Sequence, residues 1–179
     1  SEVEKAVREI EELIKRIEDR LREMARRVEE TNKTLLRDVE RLSKENEELV
    51  REIKERVREN PEKKEEVEKL IRELDKKLKE AEEEVRRLAT EDAEDIKRAM
   101  KEITDLIEEL RERLKRIRER GLREELVREL ERKIKTVLDR VEEIIRRLDK
   151  KTKDTVRRVR ELIEDNKRKN KKILDEVRK

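Results

Sequence analysis

The sequence predicts an all-α protein: an elongated, antiparallel, up-down-up three-helix bundle with coiled-coil-like packing, in which residues 1–179 form one domain. Three observations predict this fold. Apolar residues recur at spacings of three and four, which places them on one face of a helix. A single Pro and a single Gly divide the chain into near-thirds. The composition, dominated by Glu, Lys, Arg, Leu, Ile and Val, is typical of coiled coils and long helices.

The charge content, 60% of residues, would by itself favour disorder, because a weakly hydrophobic chain cannot offset the entropy lost on ordering. The net charge is only +3, however, so the two signs are balanced, and the apolar periodicity favours folded helices. The chain contains no Cys, His, Phe, Tyr or Trp. These absences exclude disulfides, thiolate metal sites and imidazole chemistry.

The first helix is predicted over residues 2–59. Ser1 and Glu4 form a capping-box pattern at its start. Its apolar face comprises Val3, Val7, Ile10, Ile14, Ile17, Leu21, Met24, Val28, Leu35, Val39, Leu42, Leu49, Ile53 and Val57.

The second helix is predicted over residues 61–120. It follows Asn60-Pro61, in which Asn is a favourable N-cap and Pro fits the first helical position. Its apolar face comprises Val67, Ile71, Leu74, Leu78, Ala81, Val85, Leu88, Ile96, Ala99, Ile103, Leu106, Leu110, Leu114 and Ile117.

The third helix is predicted over residues 122–178. Gly121 can adopt the left-handed conformation that ends a helix, and Leu122 can then fold back with its apolar side chain towards the core. The apolar face comprises Leu126, Leu130, Ile134, Val137, Val141, Ile144, Leu148, Val156, Val159, Leu162, Ile173 and Val177.

Three helices of this length would each extend about 85–90 Å at 1.5 Å per residue. The two short turns permit only antiparallel neighbours, and three apolar faces close one core. We therefore expect a thermostable protein whose helical signal persists to about 90 °C. Small-angle scattering should show a monomer about 85–90 Å long.

Polar residues interrupt the apolar faces in two places. Near the middle of the helices, Thr31, Asn32, Asp92, Thr152 and Thr155 are predicted to meet at one height when the chain is folded about its two turns. Off-centre, Ser43 and Asn46 on the first helix are predicted to meet Asn166 and Asn170 on the third.

We interpret these residues as buried hydrogen-bond networks that fix helix order and register, because a buried amide or hydroxyl without a partner penalises every slipped packing. Two alternatives stay open. The polar layer could bind a polar ligand or an ion, although one carboxylate is too little charge for a dedicated Ca²⁺ or Mg²⁺ site. Alternatively, the residues could be partly exposed and have no special role.

Catalytic, cofactor-binding and metal-ligating residues are not predicted, and the protein is not expected to be an enzyme. The only serines are Ser1 and Ser43, and neither has a tuned base beside it.

The helices carry net charges of −2, −2 and +7, with basic stretches at 111–118 and 166–172. Without aromatic side chains for base stacking, no specific nucleic-acid partner is expected. No apolar run long enough for a membrane span occurs, and no cofactor is expected.

Equal helices, minimal Asn-Pro and Gly-Leu turns, aliphatic apolar faces and Glu/Lys/Arg surfaces together resemble de novo designed helical bundles of the parametric kind. The resemblance covers the whole chain and implies a scaffold or design test without site residues. We expect the protein to be monomeric and soluble, and cytoplasmic if expressed in a bacterial host. The competing hypothesis is a subunit of a designed homo- or hetero-oligomer, or a cage that binds a partner helix. Leftover apolar surface would distinguish the two.

Overall fold

The computed structural model describes residues 2–178, and within them the chain is helical except at its two turns. Helix α1 spans Glu2–Glu59, α2 spans Lys64–Arg120 and α3 spans Glu124–Arg178, with a single 3₁₀ turn at Pro61–Lys63. The described residues contain no β-strand. The prediction of an all-α three-helix bundle is confirmed. Ser1, and with it the predicted capping box, lies outside the described residues.

The first turn is closed by backbone hydrogen bonds. The backbone N–H of Asn60 donates to the carbonyl of Val57 at 3.0 Å, and that of Lys63 donates to the carbonyl of Asn60 at 3.4 Å. The side chain of Asn60 caps no N–H group of the described turn, so its predicted role as a side-chain N-cap is wrong. Because Pro61–Lys63 forms a tighter 3₁₀ turn, α2 begins at Lys64 rather than at residue 61.

The second turn depends on Gly121, whose φ of 104° lies in the left-handed region. Helix α3 begins at Glu124, two residues later than predicted, and its first turn is closed by a 3.1 Å bond from the N–H of Val127 to the carbonyl of Arg123. Leu122 is 37% exposed. The expectation that it folds back onto the apolar face is therefore wrong.

The helices pack into two compact units, which are described separately. Unit 1 contains the residues up to Glu29 together with Glu91–Lys151. Pairs of ion pairs define the helix directions. Arg111 and Arg118 of α2 pair with Glu18 and Glu11 of α1, in opposite order along the chain, so these helices are antiparallel. Arg20 and Arg27 of α1 pair with Glu142 and Asp149 of α3, in the same order, so α1 and α3 are parallel. The core is aliphatic, and its most deeply buried side chains are Ile10, Ile17, Met24, Ile103, Val127, Ile134 and Val141.

Unit 2 contains Glu30–Thr90 and the residues from Thr152 onward. Arg158 of α3 pairs with Glu84 of α2 at 2.8 Å, and Arg178 of α3 pairs with Glu52 of α1 at 3.4 Å. Its aliphatic side chains form two buried clusters, one containing Leu35, Val39, Leu42, Leu78, Val85, Val159 and Ile163, the other Ile53, Val57, Val67, Ile71, Leu74 and Ile173. The single-domain organisation stays a prediction.

Three apolar doublets differ from the predicted faces. Val127, Ile107 and Ile163 are buried, whereas the neighbouring leucines that the sequence placed in the core, Leu126, Leu106 and Leu162, turn outward or lie half-buried. Adjacent residues are about 100° apart around a helix, so periodicity alone leaves a choice between them. The packing of the facing helices makes that choice.

Candidate functional site

Three asparagines of unit 2 lie together where the aliphatic core is interrupted; we call Asn46, Asn166 and Asn170 the asparagine cluster. Asn46 is on α1, and the other two lie four residues apart on one face of α3. Asn46 is 4% exposed, Asn166 is 2% exposed and Asn170 is half-buried. Neutral amides are therefore placed deep within an apolar seam, where each unpaired group would be costly.

The cluster satisfies itself by hydrogen bonds between side chains. The Nδ2 of Asn46 donates to the Oδ1 of Asn166 at 3.0 Å, and the Nδ2 of Asn170 donates to the same oxygen at 3.2 Å. The Nδ2 of Asn170 also donates to the Oδ1 of Asn46. One oxygen thus accepts two donors, which uses both of its lone pairs.

Helix α2 joins this cluster through its backbone. The Nδ2 of Asn166 donates to the carbonyl oxygen of Leu74 at 3.3 Å. The sequence pattern could not assign this acceptor a role because every residue has a carbonyl, although folding about residue 60 places position 46 beside position 74. With this bond, the cluster connects α1, α2 and α3 at one level of unit 2.

Ser43, also predicted in this layer, is half-buried and lies three residues before Asn46. The cluster would bind a charged ligand weakly, because its side chains are neutral amides that carry no opposite charge. Within residues 2–178, no group of three or more Asp or Glu side chains is arranged to hold a metal ion.

Four residues of the predicted central layer belong to unit 2. Asn32, Thr152 and Thr155 are buried, and Thr31 is half-buried. The offset of 120 residues that joins Asn46 to Asn166 also relates Asn32 to Thr152, so both pairs occupy equivalent positions along parallel helices. The Oδ1 of Asn32 and the Oγ1 of Thr152 are buried, yet no hydrogen-bond partner is found for either atom in the described part of the chain.

Asp92, the fifth residue of that predicted layer, belongs to unit 1 and is 0% exposed. Neither carboxyl oxygen has a hydrogen-bond partner among the described residues. Burial raises the pKa of Asp92; the charge of Lys151 opposes this rise, and the charges of Asp95 and Glu91 add to it. Desolvation dominates because a carboxylate removed from water loses its hydration.

Lys151 supplies this opposing positive charge without a direct hydrogen bond to Asp92. Its Nζ instead lies 3.5 Å from a carboxyl oxygen of Glu91 and 3.5 Å from one of Asp95. Both of these acidic groups are solvent-accessible, so the ammonium keeps its hydration while pairing with them. Asp92 is left with an attraction through space and no direct bond.

No helix within the described residues carries an apolar stretch long enough to cross a membrane. Comparison with protein families, with curated proteins and with solved structures finds no match to this chain.

Proposed function

We propose that the protein is a de novo designed structural scaffold with no natural biochemical activity, in which buried polar layers set helix register and packing specificity. It requires no cofactor and no partner, and it acts as no enzyme. The observation that carries this proposal is the asparagine cluster, which links all three helices of unit 2 through side-chain hydrogen bonds.

The physical reason lies in the degeneracy of aliphatic packing. Leu, Ile and Val side chains tolerate several registers, because any apolar group can replace another at modest cost. A slipped register would separate the amides of Asn46 and Asn166 and bury them without partners, at about 1–3 kcal/mol for each unsatisfied group. The cluster therefore penalises alternatives more than it stabilises the native packing.

The composition supports design in a second way. An aliphatic core without one aromatic residue, two minimal turns and balanced Glu, Lys and Arg surfaces satisfy the rules for specifying a bundle with few residue types. The lack of any match among families, curated proteins and solved structures agrees with an origin outside natural sequences.

The test replaces the whole cluster by Leu at positions 46, 166 and 170. We expect the free energy of unfolding to be unchanged or raised by about 1–4 kcal/mol, while register becomes less defined. Because the chain has no native Cys, spin labels at Arg41→Cys and Lys171→Cys report the α1–α3 separation in unit 2. A slip of one heptad changes the axial separation by about 10 Å.

We expect one narrow distribution of spin-label distances in the parent and several distances in the variant that carries Leu at all three Asn positions. A matched control replaces Ile53, Ile71 and Ile173, one buried residue on each helix of the same unit, by Leu. This volume-conserving change should keep the single distance. A triple Asn variant that also keeps one narrow distance would contradict the register role.

The alternative, a subunit of a designed oligomer or a cage for a partner helix, requires apolar surface that the chain itself leaves uncovered. Among the described residues, only Leu122 and Leu126 are exposed large hydrophobic side chains, which favours a monomer. Light scattering across a hundredfold concentration range should give a constant mass near 22.0 kDa. A stable dimer in dilute solution would favour the alternative.

A further inference from the structure

The exposed side chain of Leu126 borders an open cleft near the α2–α3 turn of unit 1. The cleft has a volume of about 240 Å³, and its apolar wall is formed by Ile117 of α2 with Leu126 and Leu130 of α3. Leu126 is 39% exposed because Val127 takes the core position that this doublet offers. Leu126 thus supplies the exposed part of this wall, whereas Ile117 and Leu130 belong to the buried core.

Three arginines of α2 surround this apolar wall: Arg113, Arg116 and Arg120. Their spacing of three and four residues places the guanidinium groups along one edge of the helix. Among the described residues, Glu129 is the one acidic side chain that lines the cleft. Arg113 also has Glu109 at 3.6 Å, but its side chain is 40% exposed, so this pair is weak and easily exchanged.

The charge and shape of the cleft define the chemistry that it can accept. Guanidinium groups bind carboxylates through paired N–H donors, and their aliphatic stems extend the apolar surface beneath. A volume of about 240 Å³ falls just below the usual range of small-molecule pockets, which suits one narrow chain better than a fused ring system. The aliphatic walls offer no aromatic face for stacking.

We propose that this cleft binds a small anionic amphiphile: an unbranched aliphatic chain packed on Ile117, Leu126 and Leu130, with a carboxylate paired to Arg116 and Arg120. The inference is independent of the scaffold function, since it uses no residue of the asparagine cluster. Its specificity has two requirements. The head group must be anionic, and the tail must be long enough to cover Leu126.

The probe is decanoate, titrated below its micelle concentration into the full chain and followed by amide chemical shifts. Saturable shifts confined to residues 113–130 are expected. Decanol tests the tail without the charge, while acetate and sulfate test the charge without the tail; each should bind at least about tenfold more weakly. Equal binding of decanol would reject the arginine contact, and equal binding of acetate or sulfate would reject the apolar one.

Variants then locate the site. Arg116→Gln with Arg120→Gln should weaken decanoate binding about tenfold or more. The matched control, Arg168→Gln with Lys172→Gln on the exposed face of α3 in unit 2, removes the same two positive charges and should change affinity less than about twofold. Circular dichroism verifies that both remain helical. Equal losses in the two variants, or shifts outside 113–130, would overturn the proposal.

Discussion

The asparagine cluster of unit 2 and Asp92 of unit 1 both interrupt an aliphatic seam, and both are nearly inaccessible to solvent. Their surroundings differ. Asn46 and Asn166 donate and accept within a closed set of bonds. Asp92 has the same degree of burial, but neither of its oxygens has a partner among the described residues.

Burial alone therefore does not determine how a polar residue affects the stability and packing of a helical bundle. Amides that are fully bonded cost little and restrict the packing to one register. A carboxyl group without donors must keep its proton or lose its hydration, and both outcomes lower stability. The same position on the helix face can therefore act as a specificity device or as a local weakness.

The largest expected effect comes from breaking the satisfied site. Replacing Asn166 by Leu removes the acceptor of Asn46 and leaves the donor of Asn170 with one partner fewer. The free energy of unfolding should fall by about 2–4 kcal/mol, measured by guanidinium denaturation. Asn60→Ala, at an exposed turn position without a side-chain cap, should change it by less than about 0.5 kcal/mol. Equal losses of unfolding free energy in the two variants would mean that the buried hydrogen bonds of Asn166 contribute no more than an exposed turn residue.

Relieving the unsatisfied site should act in the opposite direction. Asp92→Leu replaces a buried carboxyl by an apolar side chain of similar size, so stability at pH 7 should rise by about 1–3 kcal/mol. Asp95→Asn is the matched control, because it removes an accessible carboxylate that pairs with Lys151 and Arg98. This control should slightly lower stability. A destabilised Asp92→Leu variant would show that Asp92 has partners that stabilise it.

The pH dependence of the Asp92→Asn variant sharpens the same point. The pKa of Asp92 is raised in the folded state, so the folded protein retains the proton more strongly than the unfolded chain does. The stability that this retained proton contributes is fully present below the pKa of the unfolded chain, at about pH 4. It is lost as pH rises through the pKa of the folded state. The difference in unfolding free energy between Asp92→Asn and the parent should therefore grow from about pH 4 upward and become constant above the folded pKa. A gap that is constant between pH 3 and 8 would contradict this titration.

The smallest effect concerns a partly exposed charged pair of unit 1. Arg20 donates to Glu142 through Nε at 3.0 Å and through Nη2 at 2.9 Å, and this hydrogen bonding lowers the pKa of Glu142. A double-mutant cycle of Arg20→Ala and Glu142→Ala should give a coupling of about 0.2–1 kcal/mol. The coupling should decrease in 1 M salt and disappear as acid protonates Glu142. Arg20→Lys, which cannot make the paired bond, should lose most of it.

The sequence predicts much of this fold because its signals are local. One Pro and one Gly locate both turns, and the apolar spacing identifies the helices that end at Glu59 and Arg120. Periodicity also places Asp92 and Asn166 inward. What it leaves undecided depends on neighbouring helices: which member of the Leu126–Val127 doublet is buried, and which polar atoms find partners. Those outcomes follow from side-chain packing and hydrogen-bond distances, which helical spacing does not encode.

Gly121 has a consequence for chemical synthesis. Its φ of 104° is strained for an L-residue, yet a Cβ placed there would meet nothing within 4 Å. Backbone handedness, not space, is therefore what requires glycine at this turn. A D-amino acid has the mirror-image preference for positive φ, so D-alanine is the substitution that the backbone sign at this position favours. It would also lower the conformational entropy of the unfolded chain. A comparable replacement of glycine raises the free energy of unfolding by about 0.4–1 kcal/mol.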